Sequence, residues 1–133
     1  MNVPKWISPL FWIAAAYDGV LGVLFLAAPA WVFARLEVAP PNHVAYVQFS
    51  AALLIIFALI FARIARDPIG QRDQIIYGIL LKVAYCGLAF YYWSTIDVPW
   101  IWKPFALIDL VMGVLFVVAH RSLAAAASGR AAN

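Results

Sequence analysis

The chain has 133 residues, of which 67% are hydrophobic and only 11% charged, and its mean hydropathy is +0.93. Soluble domains carry about a quarter charged residues, so this composition excludes a water-soluble globule and leaves a membrane protein. The net charge of +3 is scattered over segment ends without forming a basic patch, which argues against a nucleic-acid partner and for topology and anionic headgroups.

Four apolar stretches follow one another, and each must be helical, because an isolated strand in lipid would leave its backbone polar groups unpaired. The expected fold is an all-α, polytopic integral membrane four-helix bundle, a single domain over residues 1–121, with residues 122–133 as a flexible Ala-rich tail. The first stretch runs from about Pro9 to Phe33, with Pro29 bending or ending it. It is longer than the apolar region of a cleaved signal and carries Asp18 near its centre, so it reads as a retained helix.

Pro40 and Pro41 in "ARLEVAPPNH" break any helix, and Asn42 is placed to cap the second span, a charge-free run from Val44 to Ala62. In "RIARDPIGQRD", Pro68 disfavours helix at Asp67, Gly70 permits a turn, and Asp73 is placed to cap the third span, about Gln74 to Thr95. "IDVPWIWKP" then connects to the fourth, which starts at Pro104 or earlier, near Pro99, and reaches about His120.

With four spans the termini and the middle loop share a side. That side collects Lys5, Arg63, Arg66, Arg72, Arg121 and Arg130, against Arg35 and Lys103 opposite, which predicts cytoplasmic termini. Aromatic residues such as Trp31, Tyr46, Tyr91, Trp93 and Trp100 gather at the other rim, as in an interfacial belt.

Three ionisable residues fall well inside the spans: Asp18, Lys82 and Asp109. Each costs roughly 2.5–3.5 kcal/mol there on insertion scales, so they are expected to face one another or water. At about 1.5 Å of rise per residue they sit roughly 14, 12 and 16 Å from the same side, in one layer. Their helical neighbours agree: Ala15, Gly19 and Gly22 share a stripe with Asp18, Gly78 and Ala89 with Lys82, and Ala106 and Gly113 with Asp109. Tyr17 and Tyr85 border this layer, and Gln48 is expected as a fourth polar wall nearer the rim. One ammonium cannot neutralise two carboxylates, so a proton, a cation, water or an approach by Arg63 must balance the second.

Other chemistries find little support. Cys86 is the only cysteine and lies in an apolar run, so no disulfide or two-thiol motif exists within the chain. His43 and His120 fall on opposite faces, too far apart for two axial ligands on one haem iron. No HxxE, HxxxH or cysteine spacing supports a metal, and neither Ser50 nor Ser94 has a base nearby. The expectation is no cofactor, no metal and no enzymatic activity.

The stretches "APPNHVAYVQFSA", "ARIARDPIGQRDQIIYGILLKV" and "ALIDLVMGVLF" carry a pattern of Pro-Pro-Asn, Ala-Arg-Asp-Pro, Gly-x-x-x-Lys and a late Asp, here Pro40 to Asn42, Ala65 to Pro68, Gly78, Lys82 and Asp109. The pattern resembles an uncharacterised family of small four-helix bacterial membrane proteins, loosely similar to the DoxX-like group. The resemblance implies a bacterial inner-membrane location and hints at quinone association. Some members bear an alkyl hydroperoxide reductase label, which Cys86 does not suit, lacking a resolving partner.

Two functions compete on the residues. In the favoured one, the Asp/Lys/Asp layer borders a site for a lipophilic small molecule, a quinone or lipid, bound without catalysis, and a cavity should lie beside Lys82. In the alternative, the charges only specify packing in a homo-oligomer or an accessory subunit of a larger membrane complex, and the interior should be filled. A proton-coupled transporter ranks lower, because Leu53 to Ala62 offers no polar lining.

Overall fold

The computed structural model describes residues 3–131. Five α-helices follow in order: α1 (Ile7–Ala27), α2 (Pro29–Leu36), α3 (Ala45–Arg66), α4 (Ile75–Thr95), preceded by a 3₁₀ turn at Arg72–Gln74, and α5 (Trp102–Ala131). There is no strand among the described residues. Four helical stretches are long and apolar enough to cross a membrane: Ile7–Ala27, Ala45–Arg66, Arg72–Thr95 and Trp102–Gly129. Ile13, Val20, Phe49, Leu59, Val83 and Val111 point outward from them, the face that lipid solvates.

The first predicted span divides in two at Ala28. Pro29 has no N–H to donate, and Ala28 leaves the helical region (φ −140°, ψ 50°), so α1 ends there and Pro29 opens the short α2 at its first position. Gln48 compensates part of the lost ladder, its Nε2 donating to the Leu26 carbonyl at 3.1 Å. Glu37 ends α2 in the left-handed region (φ 54°), turning the chain into the 38–44 connection.

The expected caps are replaced. No side chain caps α3 through Asn42; His43 Nδ1 instead accepts from the Ala45 N–H at 3.1 Å. Asp73 makes no cap either, since the 3₁₀ turn occupies that position and the carboxylate pairs with Arg72. Pro68 ends α3 one residue earlier at Asp67, whose Oδ1 accepts from the Gly70 N–H. In the last connection, Lys103 and the Val98 N–H donate to the Asp97 carboxylate and hold it below the usual carboxylate range.

The fourth span also runs further than expected. Helix α5 continues past His120 to Ala131, with Leu123 and Ala126 buried, because alanine is the best helix former and the core gives those side chains a partner. Residues 132 and 133 of the predicted tail lie outside the described residues.

Packing is organised as two helix pairs. Helix α1 packs most extensively on α3, and α4 on α5. The first pair closes through small residues: a Cβ at Gly22 would stand 2.7 Å from Ile55 Cγ1 and 2.8 Å from the Ala51 carbonyl oxygen. Ser8 Oγ donates to the Ala65 carbonyl at 2.7 Å and ties the terminal ends of α1 and α3, using one of the carbonyls that the end of α3 leaves free. Between the pairs, large side chains fill the gap. Phe11 stacks on Phe116 at 4.7 Å between centroids, and Phe61 meets Phe116 edge-on at 5.2 Å.

This packing predicts opposite outcomes at two helix glycines. Gly22→Val is expected to destabilise the α1–α3 contact by about 1–3 kcal/mol, whereas Gly87→Val, with nothing within 4 Å, leaves it unchanged. Thermal melts of the purified protein in one detergent compare the two.

Candidate functional site

The charged layer lies above the phenylalanine core, further from the termini. Helix α1 supplies Asp18, α4 supplies Lys82 and α5 supplies Asp109, and the three side chains meet. Lys82 Nζ donates to Asp18 Oδ1 at 3.2 Å and Oδ2 at 3.3 Å, and to Asp109 Oδ1 at 3.0 Å. The side chains of Lys82 and Asp18 are 2% exposed and that of Asp109 is 10% exposed, so water contributes little screening. Lys82 thus joins the α1–α3 pair to the α4–α5 pair through charge-assisted bonds.

The lysine stem fits because of two glycines. A Cβ at Gly113 would press on Lys82 Cβ at 3.3 Å, so α5 passes close to the stem. One turn before Lys82, Gly78 admits the rings of Phe61 and Phe116. Lys82 Nζ also lies 5.4 Å from the Tyr17 ring and 5.9 Å from that of Phe61, so aromatic faces occupy much of its remaining surroundings.

A cavity of about 520 Å³ opens beside this layer, between the helix pairs and towards the end opposite the termini. Asp18, Asp109 and Tyr17 line it beside the charged layer, with Tyr85, Phe105 and Trp102 and, from α2, Phe33. Tyr85 donates to the Trp102 carbonyl at 3.3 Å, and the two rings lie 5.2 Å apart. Its volume falls within the range of small-molecule sites, about 300–1,000 Å³.

Of the residues singled out from the sequence, Asp18, Lys82 and Asp109 converge, and Tyr17 and Tyr85 adjoin them at the cavity. Gln48 does not: it turns to the Leu26 carbonyl and takes no part in the layer or the cavity lining. Arg63 is exposed and forms no ion pair among the described residues, so it does not balance the second carboxylate. Lys82 itself lines a separate crevice of about 200 Å³ between α4 and α5, with Asp109, Cys86 and Gly113. Cys86 is buried there, its Sγ–H directed at the Ala106 carbonyl at 3.4 Å.

Sequence reasoning missed the cavity's cover. Leu36, Val38, Ala39 and Pro41 reach the cavity from α2 and its connection. The signal was present in the apolar side chains of "RLEVAPP", a segment read there only as a turn. No group of three or more His, Cys, Asp or Glu residues suited to a metal occurs among the described residues.

Four apolar spans around a buried ion-paired layer define a multi-pass α-helical membrane protein. Comparison with known protein families, curated proteins and solved structures finds no match to this chain.

Lys82→Met would leave two facing carboxylates buried without their cation, and is expected to cost about 3–5 kcal/mol. Adding Asp18→Asn and Asp109→Asn to it removes the unpaired charges and should recover most of that loss, as read from thermal midpoints in detergent.

Proposed function

We propose that this protein binds a lipophilic small molecule, quinone- or lipid-like, in the cavity beside the Asp18–Lys82–Asp109 layer and performs no catalysis on it. The observation that carries this reading is the cavity itself, a space of about 520 Å³ walled by aromatic and aliphatic side chains and ending on two carboxylates. That space favours binding over a role of the charges in packing alone, since an unfilled gap of such size forfeits dispersion contacts along its walls. The polar groups at the inner end supply orientation, and the apolar walls supply most of the affinity.

In this reading the protein resides in the bacterial inner membrane with both termini cytoplasmic. Support comes from the excess of basic residues at the terminal end, Lys5, Arg63, Arg66, Arg72 and Arg121, and from the pattern resembling small four-helix bacterial membrane proteins. Membrane lipids are its solvent and the source from which the ligand enters.

The test is extraction of the native protein in mild detergent followed by mass spectrometry of the organic extract. A lipophile present in near-stoichiometric amount is expected. Leu21→Trp, which fills the cavity from its α1 wall, should reduce the co-extracted amount at least about fivefold without lowering the thermal midpoint. An extract matching that of an unrelated membrane protein would count against the binding function.

A further inference from the structure

We propose that the molecule held in this cavity carries a cationic head group, which the unmatched carboxylate of Asp109 receives. This rests on the binding function above and narrows its ligand class from quinone- or lipid-like to lipid-like amphiphiles with a cationic head. Asp109 belongs to the buried layer, its side chain 10% exposed, and only its Oδ1 is engaged by Lys82. Among the described residues its Oδ2 receives no hydrogen bond, and the residue lines the cavity. Among the described residues only Arg72 Nε is both sealed off and without a partner, so Oδ2 is not enclosed by protein; it keeps accessible surface on which a donor could stand.

The charges on the cavity wall are of one sign. Asp18 and Asp109 line it, and no lysine, arginine or histidine does. Lys82 directs its ammonium at the two carboxylates and, with Asp109, lines the crevice between α4 and α5, so its bonds are spent within the layer. At that end Lys103 pairs with Asp97 at 2.9 Å and Arg35 lies over the Trp31 ring at 5.6 Å. One ammonium is shared by two carboxyl groups, so the layer holds one cation fewer than it has carboxyls.

The walls suit the same class. Tyr17, Tyr85, Phe105 and Trp102 present aromatic rings to the cavity, and ring faces attract cations most strongly when water is excluded. A ligand whose head only accepts hydrogen bonds is served poorly: the floor offers it the phenol hydroxyls, and that of Tyr85 already donates to the Trp102 carbonyl. An anionic head would meet repulsion. A lipophilic organic cation, such as a quaternary or protonated amine on an apolar body, gains from the floor and the walls together.

Tetraphenylphosphonium and tetraphenylborate provide the test, being nearly the same size and apolarity but opposite in charge. Calorimetric titration of the purified protein in a non-ionic detergent should give saturable binding of the phosphonium, with the borate at least about tenfold weaker. Asp109→Asn, which leaves a balanced Asp18–Lys82 pair, should lower phosphonium affinity by at least about tenfold and retain the helical circular dichroism of the native protein. Equal affinity for the two ions, tighter borate binding, or an Asp109→Asn protein that binds the phosphonium unchanged would overturn the proposal. If a neutral lipophile co-extracts with the protein but the phosphonium does not bind, the cationic head is refuted while the binding function stands. Failure of every lipophile, whatever its charge, refutes both.

Discussion

The bundle depends on one constraint: an ammonium in the interior of a membrane must be surrounded by acceptors, and the acceptors must come from different helices. Lys82 meets that requirement with Asp18 on α1 and Asp109 on α5. Without the pair, insertion of either charge type would cost several kcal/mol with no return. With it, two helix pairs that touch each other little through backbone are held at a fixed separation. That separation is set by large spacers, the lysine stem and the rings of Phe11, Phe61 and Phe116.

Such spacers have a second effect. Within the α1–α3 pair, small residues such as Gly22 and Ala51 bring the backbones together. Between the pairs, Phe11, Phe61 and Phe116 meet ring to ring in the terminal half, whereas above the charged layer Tyr85, Phe105 and Phe33 line an open space. The cavity is the remaining gap between the two pairs. Its polar floor and its apolar walls therefore have one origin, the change from rings to charges along the bundle axis.

Much of this was legible in the residues. The four spans follow from the lengths of the apolar runs, and the meeting of Asp18, Lys82 and Asp109 follows from their common depth and from the cost of leaving any of them in lipid. Features decided by local geometry were less accessible. Asn42 and Asp73 have suitable capping chemistry, but His43 and a 3₁₀ turn take those places, because cap selection turns on the approach angle of the chain. Gln48 looked like part of a polar interior, and only the broken ladder at Ala28 explains why it seeks the Leu26 carbonyl instead. The extent of α5 escaped notice because its last turns are Ala-rich, and helix propensity alone does not reveal that Leu123 and Ala126 have a surface to pack on.

The interruption at Pro29 has an architectural result. Had α1 continued straight, it would have ended as a longer rod, leaving the upper gap between the pairs roofless. By changing direction after Ala28, the same segment delivers Phe33 and Leu36 across that gap, so one proline turns the end of a transmembrane strut into the ceiling of a chamber.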